Sequence, residues 1–298
     1  MTVPVSVLVA GSANLDFVVR ASHIPAPGET VLGREFQTFP GGKGANQAIA
    51  CARAGGVATR MLLSLGDDPF AGPIEASLNE AGVRLEIVRT VGARTGTAFI
   101  CVSDDAENAI TVAPGANAQL RGDDLPALDG VTHLLLQLET PIKSVTEMAQ
   151  RARATGVIVV LNAAPAQSLP RELLAAVDVL IVNEGELAAI TGPSPSMQDA
   201  LTRIDVPCVI VTLGEQGCCA RTPGGMVTQT AFRVAALDTT AAGDTFCGVL
   251  VAALSEGATL PDALRTASAA AAIACTRLGA QPSIPTRADV AAFLLQSA

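Results

Sequence analysis

The segment from Asp238 to Gly248, DTTAAGDTFCG, contains the residue types best suited to chemistry. Its small residues and Gly243 allow backbone amides to converge where a helix begins, and the amino end of a helix carries partial positive charge. This pattern predicts a cradle for an anion. A carboxylate at Asp244 is unfavourable there unless it has a task such as accepting a proton, although aspartate is also common in the first turn of ordinary helices.

A glycine-rich segment from Gly41 to Gln47, GGKGANQ, opens another predicted helix. It is not a Walker A loop, because Gly44 follows Lys43 where Ser or Thr belongs, and Gln47 replaces the last glycine of a dinucleotide-binding fingerprint. The glycines permit close approach of a ligand, and Asn46 is placed to hydrogen-bond a polyol. A tight turn before a helix would give the same pattern.

Polar residues also follow several predicted strands. Asn14 and Asp16 lie on one side of an extended segment, where an amide and a carboxylate can bind neighbouring hydroxyls, with an Asx turn as the alternative. Glu139, Asn162 and the NEGE segment that starts at Asn183 each follow another strand. Any one of them could be a helix cap. Four clusters at one sheet edge predict a ligand site, because open α/β folds bind ligands there.

The elements that must position these residues alternate between strand and helix. Apolar runs predict strands at Ser6–Ala10, Val57–Ser64, Thr132–Leu138, Val157–Leu161, Val179–Val182 and Cys208–Leu213. Helices are predicted at Lys43–Arg53, Ile142–Ala154, Arg171–Ala176, Ala242–Ser255, Pro261–Thr276 and Arg287–Leu295. Because the strands are continuously apolar, both faces of their sheet must be covered, which predicts a doubly wound, mostly parallel α/β sheet.

Two pairs of short strands interrupt this alternation. They are predicted at Asp16–Arg20 with Val31–Phe39, and at Thr97–Val102 with Ala109–Ala113. Their mixed faces and turn residues predict a small β-sheet that projects from the main body. A flap over the carboxyl ends of a parallel sheet would cover the ligand site and exclude water when closed.

Composition excludes several classes of protein. The 298 residues include 28 acidic and 19 basic side chains, a formal net charge of −9, and neither Trp nor Tyr, which argues against nucleic acid as a partner. The longest uncharged stretch, residues 154–170, contains polar residues and two prolines, so no membrane span is expected. Seven scattered cysteines and the absence of a basic amino-terminal signal favour reduced thiols and a cytoplasmic location.

Taken together, GGKGAN at Gly41–Asn46 and DTTAAGD at Asp238–Asp244 resemble the two signatures of the ribokinase-like sugar kinases. The intervening motifs QLE, LN, NEGE and TLG stand in the family's order, and the resemblance spans the chain from Val7 to about Phe293. It implies a three-layer α/β/α fold in a single domain, 1–298, with a β-sheet lid formed by about 15–40 and 95–114. It further implies a homodimer that pairs through this lid.

The resemblance also implies a role for each matched residue. Asp244 would be the base that deprotonates the sugar hydroxyl, beside an anion hole made by the amides of Ala242, Gly243 and Asp244. Residues matching the sugar site are Asn14, Asp16, Gly42, Lys43, Asn46, Glu139 and Asp244. Residues matching the ATP site are Asn183, Glu186, Thr212, Gly214, Gly217, Gly243 and Ser268, of which Ser268 stands where the family frequently has histidine.

Two kinds of metal ion are implied as well. Mg²⁺ would be organised with the phosphates by Asn183 and, indirectly, by Glu186. A potassium-type ion would lie beside the anion hole, and the positions matching its site are Asp238, Thr240, Ala274, Arg277, Gly279 and Ser283. With only two histidines in the chain, a zinc site has little to be built from.

The expected activity is therefore ATP-dependent phosphorylation of D-ribose at O5. The same chemistry on 2-deoxyribose, another furanose or a nucleoside is the alternative, although the small number of aromatic residues argues mildly against a nucleobase. A sugar-binding regulator without transfer activity is the alternative from a different class. It is disfavoured because Asp244, Asn183 and Glu186 are all present.

Overall fold

Strands and helices alternate through most of the computed structural model, which describes residues 7–105 and 107–297. The strands are β1 Val7–Ala10, β2 Asn14–Arg20, β3 Glu35–Gly41, β4 Thr59–Gly66, β5 Arg84–Thr90, β6 Gly96–Val102, β7 Asn108–Ala113, β8 His133–Leu136, β9 Ile158–Asn162, β10 Val179–Asn183, β11 Cys208–Thr212, β12 Cys218–Thr222 and β13 Gly225–Gln229. The helices are α1 Lys43–Ile49, α2 Ala71–Glu80, α3 Ile142–Ala154, α4 Arg171–Leu174, α5 Glu184–Thr191, α6 Met197–Thr202, α7 Ala242–Ser255, α8 Leu260–Cys275 and α9 Arg287–Gln296.

The main sheet has the strand order β13-β12-β11-β10-β9-β8-β1-β4-β5. The strands from β5 to β11 in this order pair in parallel, and β12 and β13 are antiparallel additions at one edge. The predicted doubly wound, mostly parallel sheet is confirmed. Because the central strands are parallel, their carboxyl ends lie at the same edge of the sheet.

Two hydrophobic cores cover the two faces of this sheet. Successive residues of β1 illustrate the division: Val7 and Val9 pack with α1, α2, α7, α8 and α9, whereas Leu8 and Ala10 pack with α3 to α6. All four residues are at most 1% exposed. Burial on both faces explains why the strand sequences are continuously apolar, and it produces three layers.

A second sheet has the strand order β3-β2-β6-β7. Strand β2 begins only three residues after β1 ends, so this sheet joins the main body close to the carboxyl end of a central strand. The ring of Phe17 stacks on Phe36 and Phe99 and meets Phe70 edge-on, which packs one face of the sheet toward α2. The predicted additional sheet is therefore present.

Several element boundaries differ from the predictions. Strand β3 begins at Glu35 rather than Val31, because β2 ends at Arg20 opposite Glu35 and no ladder continues beyond this pair. Strands β5 and β13 and helices α2, α5 and α6 were not predicted. The first two residues of β5 are Arg84 and Leu85, and its partial exposure at the sheet edge removes the continuous apolar signal.

The described residues contain no helix that is both long enough and apolar enough to cross a membrane. Residues 154–170, the longest uncharged stretch, form part of α3, β9 and the connections beside them.

Candidate active site

Asp244 lies in the first turn of α7 and is 8% exposed. The residue before the helix, Ala241, has a left-handed backbone with φ of 58°, an unusual conformation for a residue with a side chain. The amides of Gly243 and Asp244 occupy the turn in which a helix leaves N–H groups without intrahelical acceptors. The amide of Ala242 donates to the Thr239 carbonyl at 3.2 Å.

Two side-chain amides from α1 hold the Asp244 carboxylate. Asn46 Nδ2 donates to Asp244 Oδ2 and Gln47 Nε2 donates to Asp244 Oδ1, each at 2.9 Å. Hydrogen bonds to both oxygens fix the plane of the carboxylate.

Helices α1 and α7 are in direct contact at Gly248. A β-carbon at this position would lie 2.5 Å from the carbonyl oxygen of Gln47 and 2.6 Å from the β-carbon of Ala50, so only glycine fits. The Cys51 thiol donates to the Gly248 carbonyl at 3.1 Å. This contact sets the distance between Asp244 and its amide donors.

Asp16 extends from the start of β2 toward the two glycines that precede α1. A β-carbon on Gly41 would lie 2.1 Å from Asp16 Oδ2, and Gly42 adopts a left-handed φ of 90°. Burial, followed by the negative charges of Glu139 and Asp244, raises the pKa of Asp16 from 3.8 to about 7. The fold therefore keeps this carboxylate in a site that disfavours its charge.

Glu139, whose charge acts on Asp16, also contacts Lys43. Glu139 Oε2 accepts a hydrogen bond from Ser12 Oγ at 2.5 Å and from the backbone amide of Lys43 at 3.1 Å. The negative charge of Asp244 raises the pKa of Lys43, with burial opposing the increase and Glu139 adding to it. Lys43 is thus a cation held among carboxylates.

Asn14, the first residue of β2, is held by a residue that the sequence reasoning did not assign. Asn117 Nδ2 donates to Asn14 Oδ1 at 2.8 Å and to the Ala13 carbonyl at 3.2 Å. Asn117 Oδ1 accepts from the Ala13 amide at 3.0 Å. These contacts attach the base of the second sheet to the segment that follows β7.

Two buried acceptor atoms near Asp244 have no hydrogen-bond donor among the described residues: Asp16 Oδ1 and Asn46 Oδ1. Buried acceptors are normally satisfied, and a ligand rich in hydroxyl groups would supply the missing donors. The arrangement therefore suits a polyol.

A cleft of about 230 Å³ extends from Asp244 along the carboxyl ends of the strands. Its lining includes seven of the predicted residues: Lys43, Asn162, Asn183, Glu186, Thr212, Gly243 and Asp244. Asn183 and Glu186 form a reciprocal cap of α5, in which Glu186 Oε2 accepts from the Asn183 amide and Asn183 Oδ1 accepts from the Glu186 amide, both at 2.8 Å. Burial raises the pKa of Glu186.

The remaining predicted nucleotide residues lie outside the lining of that cleft. Gly214 and Gly217 form the turn between β11 and β12, where both have positive φ. Ser268 is buried on α8, with its Oγ 3.9 Å from the Cys218 thiol. A larger surface hollow of about 460 Å³ near Asp67 and Arg89 contains none of the predicted site residues.

The positions predicted for a monovalent cation come from two adjoining loops. Asp238 Oδ1 accepts from the amide and hydroxyl of Thr240, and Asp238 Oδ2 accepts from the Gly279 amide at 2.9 Å. Burial acts to raise the pKa of Asp238, but these hydrogen bonds outweigh it and the pKa is lowered. The amides of Leu237 and Asp238 donate to the Cys275 carbonyl, just after Ala274.

Two of the predicted cation residues use their side chains elsewhere. Arg277 pairs with Asp289 at 3.1 Å, and Ser283 Oγ donates to the Ala280 carbonyl at 2.7 Å.

The sequence reasoning assigned no role to four buried side chains that complete the site: Ser12, Gln47, Asn117 and Gln137. Gln47 and Gln137 stand inside the GGKGANQ and QLE motifs that the sequence singles out, and their place in those motifs is the signal that could have found them. As uncharged residues, they carry no other mark of function.

Comparison with known proteins bears directly on this arrangement. The model of the pfkB carbohydrate kinases matches residues 5–287. The chain belongs to the pfkB family of carbohydrate kinases. This carbohydrate kinase is 39% identical to the ribokinase of Haemophilus influenzae, over 96% of its own chain and 97% of that protein.

Solved structures show the same likeness. The carbohydrate kinase superposes on the ribokinase of Thermotoga maritima with a TM-score of 0.91 and 37% identity, covering 98% of this chain and 99% of that one. It superposes on the ribokinase of Arabidopsis thaliana, complexed with ribose and ATP, with a TM-score of 0.90 and 34% identity over the same shares. The predicted family and three-layer fold are confirmed.

Proposed function

We propose that this carbohydrate kinase transfers the γ-phosphoryl group of ATP to O5 of D-ribose and forms ribose 5-phosphate. The similarity to ribokinases over nearly the full chain supports ATP and ribose as substrates. The observation that carries the proposal is the Asp244 carboxylate, which two amides orient at the start of a helix, beside buried acceptors that lack donors.

Asp244 would accept the proton of the O5 hydroxyl as the reaction proceeds. The O5 atom forms its bond to the γ-phosphorus while the bond from that phosphorus to the bridging oxygen breaks, and ADP leaves with the electron pair. The first-turn amides of α7, together with Lys43, would stabilise the charge on the migrating group. Asn14, Asp16, Gly42, Asn46 and Glu139 would hold the sugar hydroxyls in position.

The residues on the nucleotide side fit a magnesium–ATP complex. Among the described residues, no three His, Cys, Asp or Glu side chains cluster as metal ligands, so the phosphates would supply most of the coordination of Mg²⁺. Glu186 lines the cleft with one oxygen already held by the Asn183 amide, which suits a contact through water. When bound, the ion would neutralise charge on the β- and γ-phosphates.

We also propose that the loops around Asp238 and Gly279 hold a K⁺ ion beside the anion hole. The ionised carboxylate and the neighbouring carbonyls are hard oxygen donors, which fits a potassium-type cation. Exchanging K⁺ for Na⁺ or a bulky organic cation is expected to lower kcat by roughly tenfold, about 1.4 kcal/mol of barrier. Equal turnover in all three salts at constant ionic strength would refute this cation site.

The second sheet is proposed to be the lid over the sugar and the surface of a homodimer. Ile110 and Val112 of β7 are exposed, and the ladder places them on the same sheet face as Asp16. Ile110→Glu is expected to convert a particle of twice the 30.1 kDa chain mass into the single chain in sedimentation experiments. Met226→Glu, at an exposed position of β13, is the matched control and should sediment as the wild type does.

A coupled assay of ADP release, run with and without Mg²⁺, tests the proposed function. The acceptors to compare are ribose, 2-deoxyribose, fructose and nucleosides. We expect the highest kcat/KM with ribose, and a better acceptor among the others would correct the substrate. ADP release with none of them would favour a sugar-binding regulator. The chain's free cysteines support a cytoplasmic location, which fractionation of the native cell would test.

A further inference from the structure

A set of hydrogen-bonded, buried side-chain amides lies beside Asp244, and one of them, Asn162, lines the cleft. Gln47 and Gln137 are at most 1% exposed, and Asn162 is 8% exposed. They come from α1, from the end of β8 and from β9, so three separate parts of the fold converge on this point.

Both donors and the acceptor oxygen of the Gln47 side-chain amide are hydrogen-bonded. Both protons of its Nε2 are engaged, one with Asp244 Oδ1 and one with Asn162 Oδ1, each at 2.9 Å. Gln47 Oε1 accepts from Gln137 Nε2 at 2.7 Å. A glutamine amide offers two donors and one acceptor oxygen, and each has a partner here.

The partners of Gln47 also determine which way its amide faces. Asn162 Nδ2 donates to the Ile181 carbonyl at 3.3 Å, which turns Asn162 Oδ1 toward Gln47. Rotating the Gln47 amide by half a turn would place its oxygen against the oxygens of Asp244 and Asn162. It would also oppose its NH₂ group to that of Gln137. The surrounding amides therefore permit one orientation.

We propose that Gln47 is a positioning residue for Asp244, and that Gln137 and Asn162 hold its amide in the orientation that donates to the base. This inference rests on the proposed function, in which Asp244 accepts the proton. The Gln47 contact would hold the carboxylate in the plane that meets the sugar hydroxyl and would favour its charged form until the proton arrives.

Other charged groups act on Asp244 from the elements packed around it. Lys43 of α1 attracts the carboxylate, whereas Asp16 of β2 and Glu186 of α5 repel it. None of these groups is removed when Gln47 is replaced. A change in the behaviour of Asp244 can then be assigned to the lost amide.

Gln47→Met tests the proposal because it keeps a similar side-chain length and removes both donors. We expect kcat for ribose to fall about tenfold to a hundredfold, the effect of one lost hydrogen bond to a charged group. The acidic limb of the kcat–pH profile should move to higher pH, and KM for ribose should change less than twofold. Loss of packing alone would not move the acidic limb.

Gln137→Met keeps the proposal testable if the Gln47 variant fails to fold. It leaves Gln47 in place and removes the donor to its oxygen, so a smaller shift of the acidic limb in the same direction is expected. Thr59→Val is the control: it removes a buried hydrogen bond, 3.0 Å to the Val57 carbonyl, at the far end of β4. It should lower stability and leave the limb unchanged.

The outcomes separate this inference from the function on which it rests. An unmoved acidic limb in Gln47→Met and in Gln137→Met, with an active wild type, would overturn the positioning role and leave the proposed function standing. A wild-type protein that phosphorylates no sugar would overturn both. A shifted limb with a nearly constant KM would support the role of Gln47.

Discussion

Asp244→Asn is expected to lower kcat for ribose phosphorylation at least about a hundredfold while ribose still binds. The amide cannot take the proton of O5, yet it occupies the same volume at the start of α7. The new side chain has an NH₂ group in place of one carboxylate oxygen, and this group must face the NH₂ group of Asn46 or of Gln47. Because two donors then oppose each other, a small loss of stability should accompany the loss of turnover. Single-turnover kinetics and calorimetric titration with ribose measure the two effects separately.

Asp262→Asn is the matched control for this substitution. Asp262 is also a first-turn aspartate, at the start of α8, and its backbone amide donates to Thr259 Oγ1. It does not belong to the lining of the cleft. If Asp244 were only a first-turn acid, both variants would keep their activity. Turnover of Asp244→Asn close to that of Asp262→Asn would therefore eliminate the assignment of Asp244 as the base.

Asp16→Asn is expected to change stability and sugar binding in opposite directions. The pKa of Asp16 is about 7 in the folded protein and near 3.8 in the unfolded chain, so the folded state retains a proton that the unfolded state releases. The resulting cost to stability begins near pH 4, grows as pH rises, and is complete above pH 7. We expect the variant without sugar to be more stable than the wild type at pH 8, on the order of 2–4 kcal/mol.

Ribose binding should show the reverse effect. A charged carboxylate accepts hydrogen bonds from hydroxyls better than a protonated one, so the affinity of the wild type should rise from pH 6 to pH 8, against the neighbouring charges of Glu139 and Asp244. Asp16→Asn should bind ribose more weakly at pH 8 and with less pH dependence. Urea unfolding and titration calorimetry at both pH values decide the matter, and equal stability of the two proteins at pH 8 would contradict the prediction.

The parts of the fold that the sequence predicts best are those with one dominant physical cause. The central strands are buried on both faces, so a continuous apolar run marks each of them, as in Val179–Val182. Helices α3 and α7 begin and end at the predicted residues. Edge strands β5 and β13 have partly exposed faces, and their mixed composition does not distinguish them from loops.

The residues of the candidate site also differ in how readily the sequence reveals them. Charged residues such as Asp16 and Asp244 stand out in the sequence because burying an unpaired carboxylate costs free energy. Gln47 and Gln137 escape the sequence reasoning, since an amide costs less to bury and its role depends on partners far away in the chain. Gln47 and Asp244 are 197 residues apart, and no local pattern records their contact.

The carboxylates of Asp16 and Asp244 belong to different parts of the fold. Asp16 stands on the second sheet, whereas Asp244 belongs to a pair of helices pressed together at Gly248. Substitutions in the second sheet can therefore alter the proposed sugar contacts of Asp16 and leave the proposed proton acceptor, Asp244, in place.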